Sequence, residues 1–557
     1  MKKINHLLLV SLFGASFNLQ AAPVVIPLPP AAVQSLDQNL IERYLEEEKL
    51  KKAVPEKPVI KLPEQGKPVV KASAVKNIWL KDFKLDPSEI LTTEEINTAL
   101  DSYKQQNVSL QDLFDAVNKL NDLYDAKGEK TARAILPPQD IKEGVVNIRL
   151  IEARLGEVQV SGTVALDSEF VRTRIHQKPG ELVSVPKLEL DLIRYNALYE
   201  SQLSAGVAAG AKVGTTDITI AVREGKRYEL TTFVDNAGRE SVGKERVGTI
   251  YKAKNLMGYN DSIQFVATGT EGSTSYGLSY SIPVSQDDLR LDVSYNQGEI
   301  TLVNGPFVPL DITGSSQDLT AGLTQPFWVG TNRQWATYGR LSAKNSISEF
   351  SGFVQEDLNV NVLSLGVSGD AHYNDYAWSV DNSLNFGSSD SDDNTSFTYY
   401  KANGTLMDRM SESITLLVRA GLQYSFNDVL PSGEQFQVGG LYTVRGFSEG
   451  LISGRHGYFV SVEGRTPLYS SVMQSANYWP PNIQGFAFLE HGGAFPFEVG
   501  KPIKTDDYLT SAGGGLLVDF GPRVSARIAV AYPLQENRAE LDDSSPKIHA
   551  GLNISWL

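Results

Sequence analysis

The side chains best suited to chemistry are too scattered for it. The six histidines, His6, His176, His372, His456, His491 and His549, show no metal-ligand spacing, and the chain has no cysteine. Thiolate metal sites, disulfide frameworks and cysteine nucleophiles are thereby excluded. No glycine-rich loop leads into Lys and Ser or Thr, and no Gly-x-Ser-x-Gly occurs, so neither ATP hydrolysis nor acyl transfer is signalled. Asp390, Asp392, Asp393 and Asn394 could attract Ca2+, but read as a solvated loop. No cofactor, no metal and no enzymatic activity are expected. What remains is a charge pair. Arg445 lies in Val444, Arg445, Gly446 and Phe447, within a long polar segment between two strands that read as membrane-spanning. Glu490 lies in Phe488, Leu489, Glu490, His491 and Gly492, on one such strand. The two are expected to meet in a semi-buried pair, where removal of one charge costs roughly 3–5 kcal/mol.

The segments that must position this pair alternate with period two. If Glu490 faces a lumen, Phe486 and Phe488 face it too, while Gly485, Ala487 and Leu489 face lipid. Aromatic rings facing water need a cover, which the loop tip with Phe447 would supply. From Arg227 to Leu557, segments of about ten residues alternate apolar and polar between Gly, Asn, Asp and Ser clusters, the pattern of an outer-membrane barrel. Leu289, Leu291, Val293 and Tyr295 would face lipid, and Arg290, Asp292, Ser294 and Asn296 the lumen. The last strand sets Ile548, Ala550, Leu552, Ile554 and Trp556 against His549, Gly551, Asn553 and Ser555. Sixteen strands are predicted, starting near residues 227, 246, 262, 274, 289, 316, 335, 358, 377, 395, 414, 456, 484, 510, 524 and 547. An even count returns both ends of the barrel to one side, and the longest loop, 427–455, is then extracellular. Gly513, Gly514 and Gly515 read as a strand packed closely against the lumen contents.

Upstream, Met1 to Ala21 has the basic start, apolar run and small-residue end of a secretory signal. A helix is expected over 34–54, with Ser35 and Gln38 as its capping box. Its thin stripe of Leu36, Leu40, Ile41, Tyr44 and Leu45 suits either a solvated helix or a plug in a wet pore. Prolines punctuate an extended linker over 55–75. Two α+β modules are expected at 76–153 and 154–225. In the first, Thr92 with Glu95 and then Ser109 cap two helices; in the second, Pro186 starts the longer helix. The barrel is assigned to 226–557. With 51 Lys and Arg against 66 Asp and Glu, the net charge is −15, which argues against nucleic acid as a partner.

The order of these segments resembles the outer-membrane transporters of two-partner secretion, the haemolysin secretion and activation family. Asp235, Asn236, Ala237 and Gly238, with Gly243 and Arg246, resemble that family's barrel-opening stretch. Leu430 to Gly440 followed by Val444 to Phe447 resembles its long sixth extracellular loop, which folds back into the lumen. Arg445 matches the loop-tip arginine, and Glu490 stands where the family's Phe-x-Asp-x-Gly motif, ending here at Gly492, has aspartate. The resemblance implies a transmembrane β-barrel of sixteen antiparallel strands, preceded by a plug helix and two periplasmic polypeptide-transport-associated (POTRA) modules. It implies a monomer in outer-membrane lipid, inserted by the barrel-assembly machinery. It also implies a secreted partner: a large β-helical adhesin, haemolysin or contact-dependent inhibition toxin, caught unfolded in the periplasm. A barrel-assembly factor and a passive porin or surface receptor are the rival readings. If direct pairing is all that matters, exchanging the two charges (Arg445→Glu with Glu490→Arg) should restore some export.

Overall fold

The computed structural model describes residues 30–50, 57–62, 78–129, 131–212, 214–390, 395–469, 481–495, 508–534 and 545–556. The expected signal, most of the linker and Asp392 to Asn394 lie outside them. Sixteen antiparallel strands, from Tyr228–Asp235 to Lys547–Ser555, form a closed barrel. The last closes on the first in the register Thr231↔Ser555 to Asp235↔Gly551. Strand starts follow the alternation closely; the largest offset is at Phe353, expected near 358. The alternation arises because one face of each strand meets lipid and the other a polar lumen. Accordingly Leu489, Ile528 and Ile548 are exposed while Ser461, Glu463, Glu490 and Ser511 are buried.

The helix α1 (Pro30–Leu50) runs through this lumen. Its first turn packs on the outer end of the barrel, where Pro30 closes on Gly314 and Ala31 on Gly433. At its other end, Lys49 reaches Asp370 near the periplasmic rim, at 2.6 Å. At 1.5 Å rise per residue such a helix is about 30 Å long, roughly the hydrocarbon thickness of a bilayer. The chain is already helical at Pro30, so Ser35 is an interior helix residue and the expected capping box does not mark the start. Proline suits the first turn because its missing N–H has no intrahelical acceptor there.

The first module holds α2 (Thr93–Leu100) and α3 (Leu110–Ala126), both closed by capping boxes, Thr92 with Glu95 and Ser109 with Asp112. Their apolar faces cover the sheet Asp82–Leu85, Val145–Ile151 and Arg133–Ile135. Two short strands enter this module, Ile78–Leu80 and Asp82–Leu85, and they belong to different sheets. The second module places α4 (Ser168–Arg172) and α5 (Val185–Leu198) on a four-stranded sheet. Its edge strand is Ile60–Lys61, which pairs parallel with Gln202–Ala209.

The second module is bolted to the barrel. Asp288, in the periplasmic turn after strand Ser273–Pro283, accepts from Arg174 Nε at 3.0 Å, Arg194 Nε at 2.6 Å and the Tyr199 hydroxyl at 2.6 Å. Arg174 also donates to the Ser285 carbonyl at 2.9 Å and stacks on Phe170. A carboxylate shared by two guanidinium groups and a phenol is strongly held.

Candidate functional site: a loop tip clamped inside the barrel

The segment between strands Ile414–Ser425 and His456–Tyr469 turns back into the lumen through a short hairpin, Phe436–Val438 with Ile452–Gly454. Val444, Phe447, Phe436 and Val438 bury together against Phe459, Ala494 and Leu509 of the wall. This hydrophobic cluster delivers Arg445 to Glu490, and both are at most 1% exposed.

Glu490 grips Arg445 twice. Its Oε1 takes the Nε–H and its Oε2 the backbone N–H, each at 2.7 Å. Arg445 Nη1 donates instead to Glu463 at 2.6 Å. The pair is therefore not a parallel two-bond fork between guanidinium and carboxylate; Glu490 holds the residue's backbone as well as its side chain. Ser461 and Ser511, cross-strand neighbours of Glu490, donate to the same carboxylate at 2.9 and 3.2 Å. His549 Nε2 donates to the Arg445 carbonyl at 2.7 Å. The guanidinium lies 3.5 Å from the Phe488 ring centroid and 5.8 Å from that of Phe486, so the rings supply cation–π contact and exclude water. Close approach explains two glycines. A Cβ on Gly446 would meet Ser511 at 2.6 Å, and one on Gly492 would meet Val438 at 2.9 Å.

Glu463, Ser461 and Ser511 were not singled out in the sequence, and His549 only as a residue on the lumenal face of the last strand. Their signal was register: once Glu490 faces inward, its cross-strand partners Ser461 and Ser511 face inward too.

Asp235, Asn236 and Gly238 sit elsewhere, at the outer end of the barrel seam. Asp235 takes two bonds from Arg246, at 3.0 and 2.9 Å. Asn236 exchanges side-chain bonds with the last strand, donating to the Ile548 carbonyl at 2.7 Å and accepting from Ala550 N–H at 2.9 Å. Gly238 N–H donates to the Lys244 carbonyl at 2.9 Å. This motif fastens the first strand to the last.

The helix α1 meets the clamp directly. Glu47 accepts from Arg465 at 2.8 Å and from Arg527 at 3.4 Å, and Arg465 Nε donates to Glu463 at 2.7 Å. Arg43 donates to the Tyr442 carbonyl, Gln437 to the Ala32 carbonyl, and Leu40 packs on Tyr442. Helix and loop leave a cavity of about 680 Å³ at the periplasmic mouth and one of about 530 Å³ beside the helix. Among the described residues, the helix and the folded-back loop are the elements that obstruct the lumen.

Comparison with known proteins agrees with this architecture. Residues 214–478 match the family described as haemolysin secretion/activation protein ShlB/FhaC/HecB, and residues 78–153 match the ShlB-type POTRA domain. The heme/hemopexin transporter protein HuxB of Haemophilus influenzae is 24% identical over 474 residues, covering 80% of this chain and 82% of that protein. The outer membrane transporter CdiB of Dickeya dadantii is 21% identical over 403 residues, covering 68% and 71%. Among solved structures, CdiB from Escherichia coli superposes with a TM-score of 0.67 at 18% identity, covering 95% of this chain and all of that one. With its closed sixteen-stranded barrel in the outer membrane and its POTRA modules in the periplasm, the chain belongs to the haemolysin secretion and activation family, the transporters that export a partner exoprotein in two-partner secretion.

Proposed function

We propose that α1 and the loop tip at Arg445 together form the resting gate of this transporter, and that export of the exoprotein requires both to leave the lumen. The observation that carries the reading is that Glu47 of the helix and Arg445 of the loop belong to one buried ion-pair cluster centred on Glu463. A charged cluster of this kind suits a switch: it holds one arrangement firmly, and its polar members can be rehydrated when the lumen opens. The modules receive the extended chain at their sheet edges, and folding of the exoprotein outside the cell supplies the drive, without a chemical step. The cargo is a large β-rich adhesin, haemolysin or toxin, or an exoprotein serving heme or hemopexin transport, as one relative's name suggests. The barrel works as a monomer, because closure leaves no strand edge to pair with a second copy, and it enters the membrane through the barrel-assembly machinery.

Planar-bilayer conductance tests the gate. Deleting residues 30–50 should convert a mostly closed channel into one of large, sustained conductance. A large conductance already constant in the intact protein, and unchanged by the deletion, would mean a passive porin.

A further inference from the structure

The second module carries an apolar tip beside the barrel rim that the export reading does not use. Val164 is 92% exposed, the highest value among the exposed large hydrophobic side chains of the described residues. Its loop is nonetheless held firmly. The Glu224 carboxylate accepts the backbone N–H groups of Val164, Ala165 and Leu166 at 2.7, 3.0 and 3.0 Å, so the loop's donors are satisfied while its apolar side chain stands clear. Three residues on, Asp167 N–H donates to the Gly258 carbonyl at 2.9 Å, joining this loop to the first periplasmic turn of the barrel.

That turn places the lipid. Leu256, Met257 and Tyr259 in it are all exposed, Met257 at 65%. The Met257 sulfur accepts from the Tyr280 hydroxyl at 3.4 Å. Tyr280 shares its strand face with the exposed Tyr276 and Leu278, the outward face opposite Ser279 and Ser281, so Met257 lies on the outer side of the rim. Exposed aromatics at the periplasmic strand ends, Tyr228, Phe327, Trp328 and Trp556, continue the same level around the barrel as an interfacial belt.

We infer that the loop bearing Val164 and the barrel turn bearing Leu256 and Met257 form one foot that docks on the periplasmic leaflet of the outer membrane, with Val164 seated among phospholipid chains. The partner is lipid because the patch is continuous with the barrel's own lipid-facing surface. Such a foot would brace the second module against the bilayer, beside the Asp288 joint that braces it against the barrel.

Because the chain has no cysteine, a single nitroxide label can be placed cleanly. The full-length protein labelled at Val164→Cys would be reconstituted in vesicles of phosphatidylethanolamine and phosphatidylglycerol, and collision with membrane-soluble oxygen compared with collision with a water-soluble nickel chelate. Labels at Leu278→Cys on the outward barrel face and Glu94→Cys on the first module set the lipid and water limits. The label at 164 should favour oxygen, as at 278, and a label at Met257→Cys should do the same. Nickel accessibility at 164 equal to that at 94, in protein whose barrel is inserted as judged by heat-modifiable mobility, would overturn the proposal.

Discussion

Glu47 on the helix reaches Arg445 on the loop tip through two side chains: Arg465 donates to Glu47 at 2.8 Å and to Glu463 at 2.7 Å, and Glu463 takes the Arg445 guanidinium at 2.6 Å. Groups in one such network are energetically coupled, with interaction terms of about 0.5–3 kcal/mol. Glu47→Ala should therefore raise the frequency of channel opening in planar bilayers. Combined with Arg445→Ala, it should add far less than its single effect. Additive effects would show that helix and loop release independently.

The exchange Arg445→Glu with Glu490→Arg should fail to restore export, against the simple expectation from a two-residue pair. A glutamate at 445 would face Glu463, now 2.6 Å from the arginine, and an arginine at 490 would sit beside Arg419, now 3.9 Å from the carboxylate. The backbone N–H of residue 445 would also lose its acceptor. Secretion into the medium measures this, and recovery towards the wild-type level would reduce the clamp to one charge pair.

Asp288→Asn should loosen the second module without unfolding the turn. Position 288 has φ +64°, a left-handed conformation that asparagine tolerates, so the backbone persists while the charge that holds Arg174 and Arg194 is lost. Breaking a buried pair this way costs roughly 3–5 kcal/mol. Spin-label distances between module and barrel should broaden, and export should fall. An unchanged distance distribution would show that the other contacts suffice.

Glu224 gives a pH dependence outside the membrane. Burial pushes its pKa up, but the N–H groups of Val164, Leu166 and Ala165 outweigh this and hold it below the usual 4.5. A depressed carboxylate stabilises above its unfolded pKa and loses that contribution as pH falls through the folded value. Amides 164–166 should thus exchange faster in Glu224→Gln than in wild type at pH 7. The difference should vanish once the wild-type carboxyl is protonated, well below pH 4.5. An equal rate at pH 7 would contradict the role given to this carboxylate.

Most of the barrel was legible because lipid and lumen impose opposite demands on alternate residues, and most helices because Thr92, Ser109 and Pro186 mark their starts. The strand Gln202–Ala209 went unread: its Ser, Ala and Gly residues have weak strand preference, and pairing with Thr215–Arg223 decides its conformation. Ile60–Lys61 was hidden because it is only two residues long and lies between prolines, and pairing with Gln202–Ala209 defines it. At the site, Arg445 and Glu490 were visible as charges in apolar or loop contexts. Glu463 was not, because one carboxylate on a lumenal face looks like any solvated side chain until the loop covers it. The Asp288 joint was likewise out of reach, since Arg174 and Arg194 meet it from more than ninety positions away.

The most direct test of the clamp is export by Arg445→Ala, with the partner exoprotein co-expressed and the barrel's outer-membrane level verified. The variant should insert normally and secrete no detectable exoprotein, because it leaves Glu490 and Glu463 buried without their shared cation. Secretion at the wild-type level from a normally inserted barrel would contradict the account.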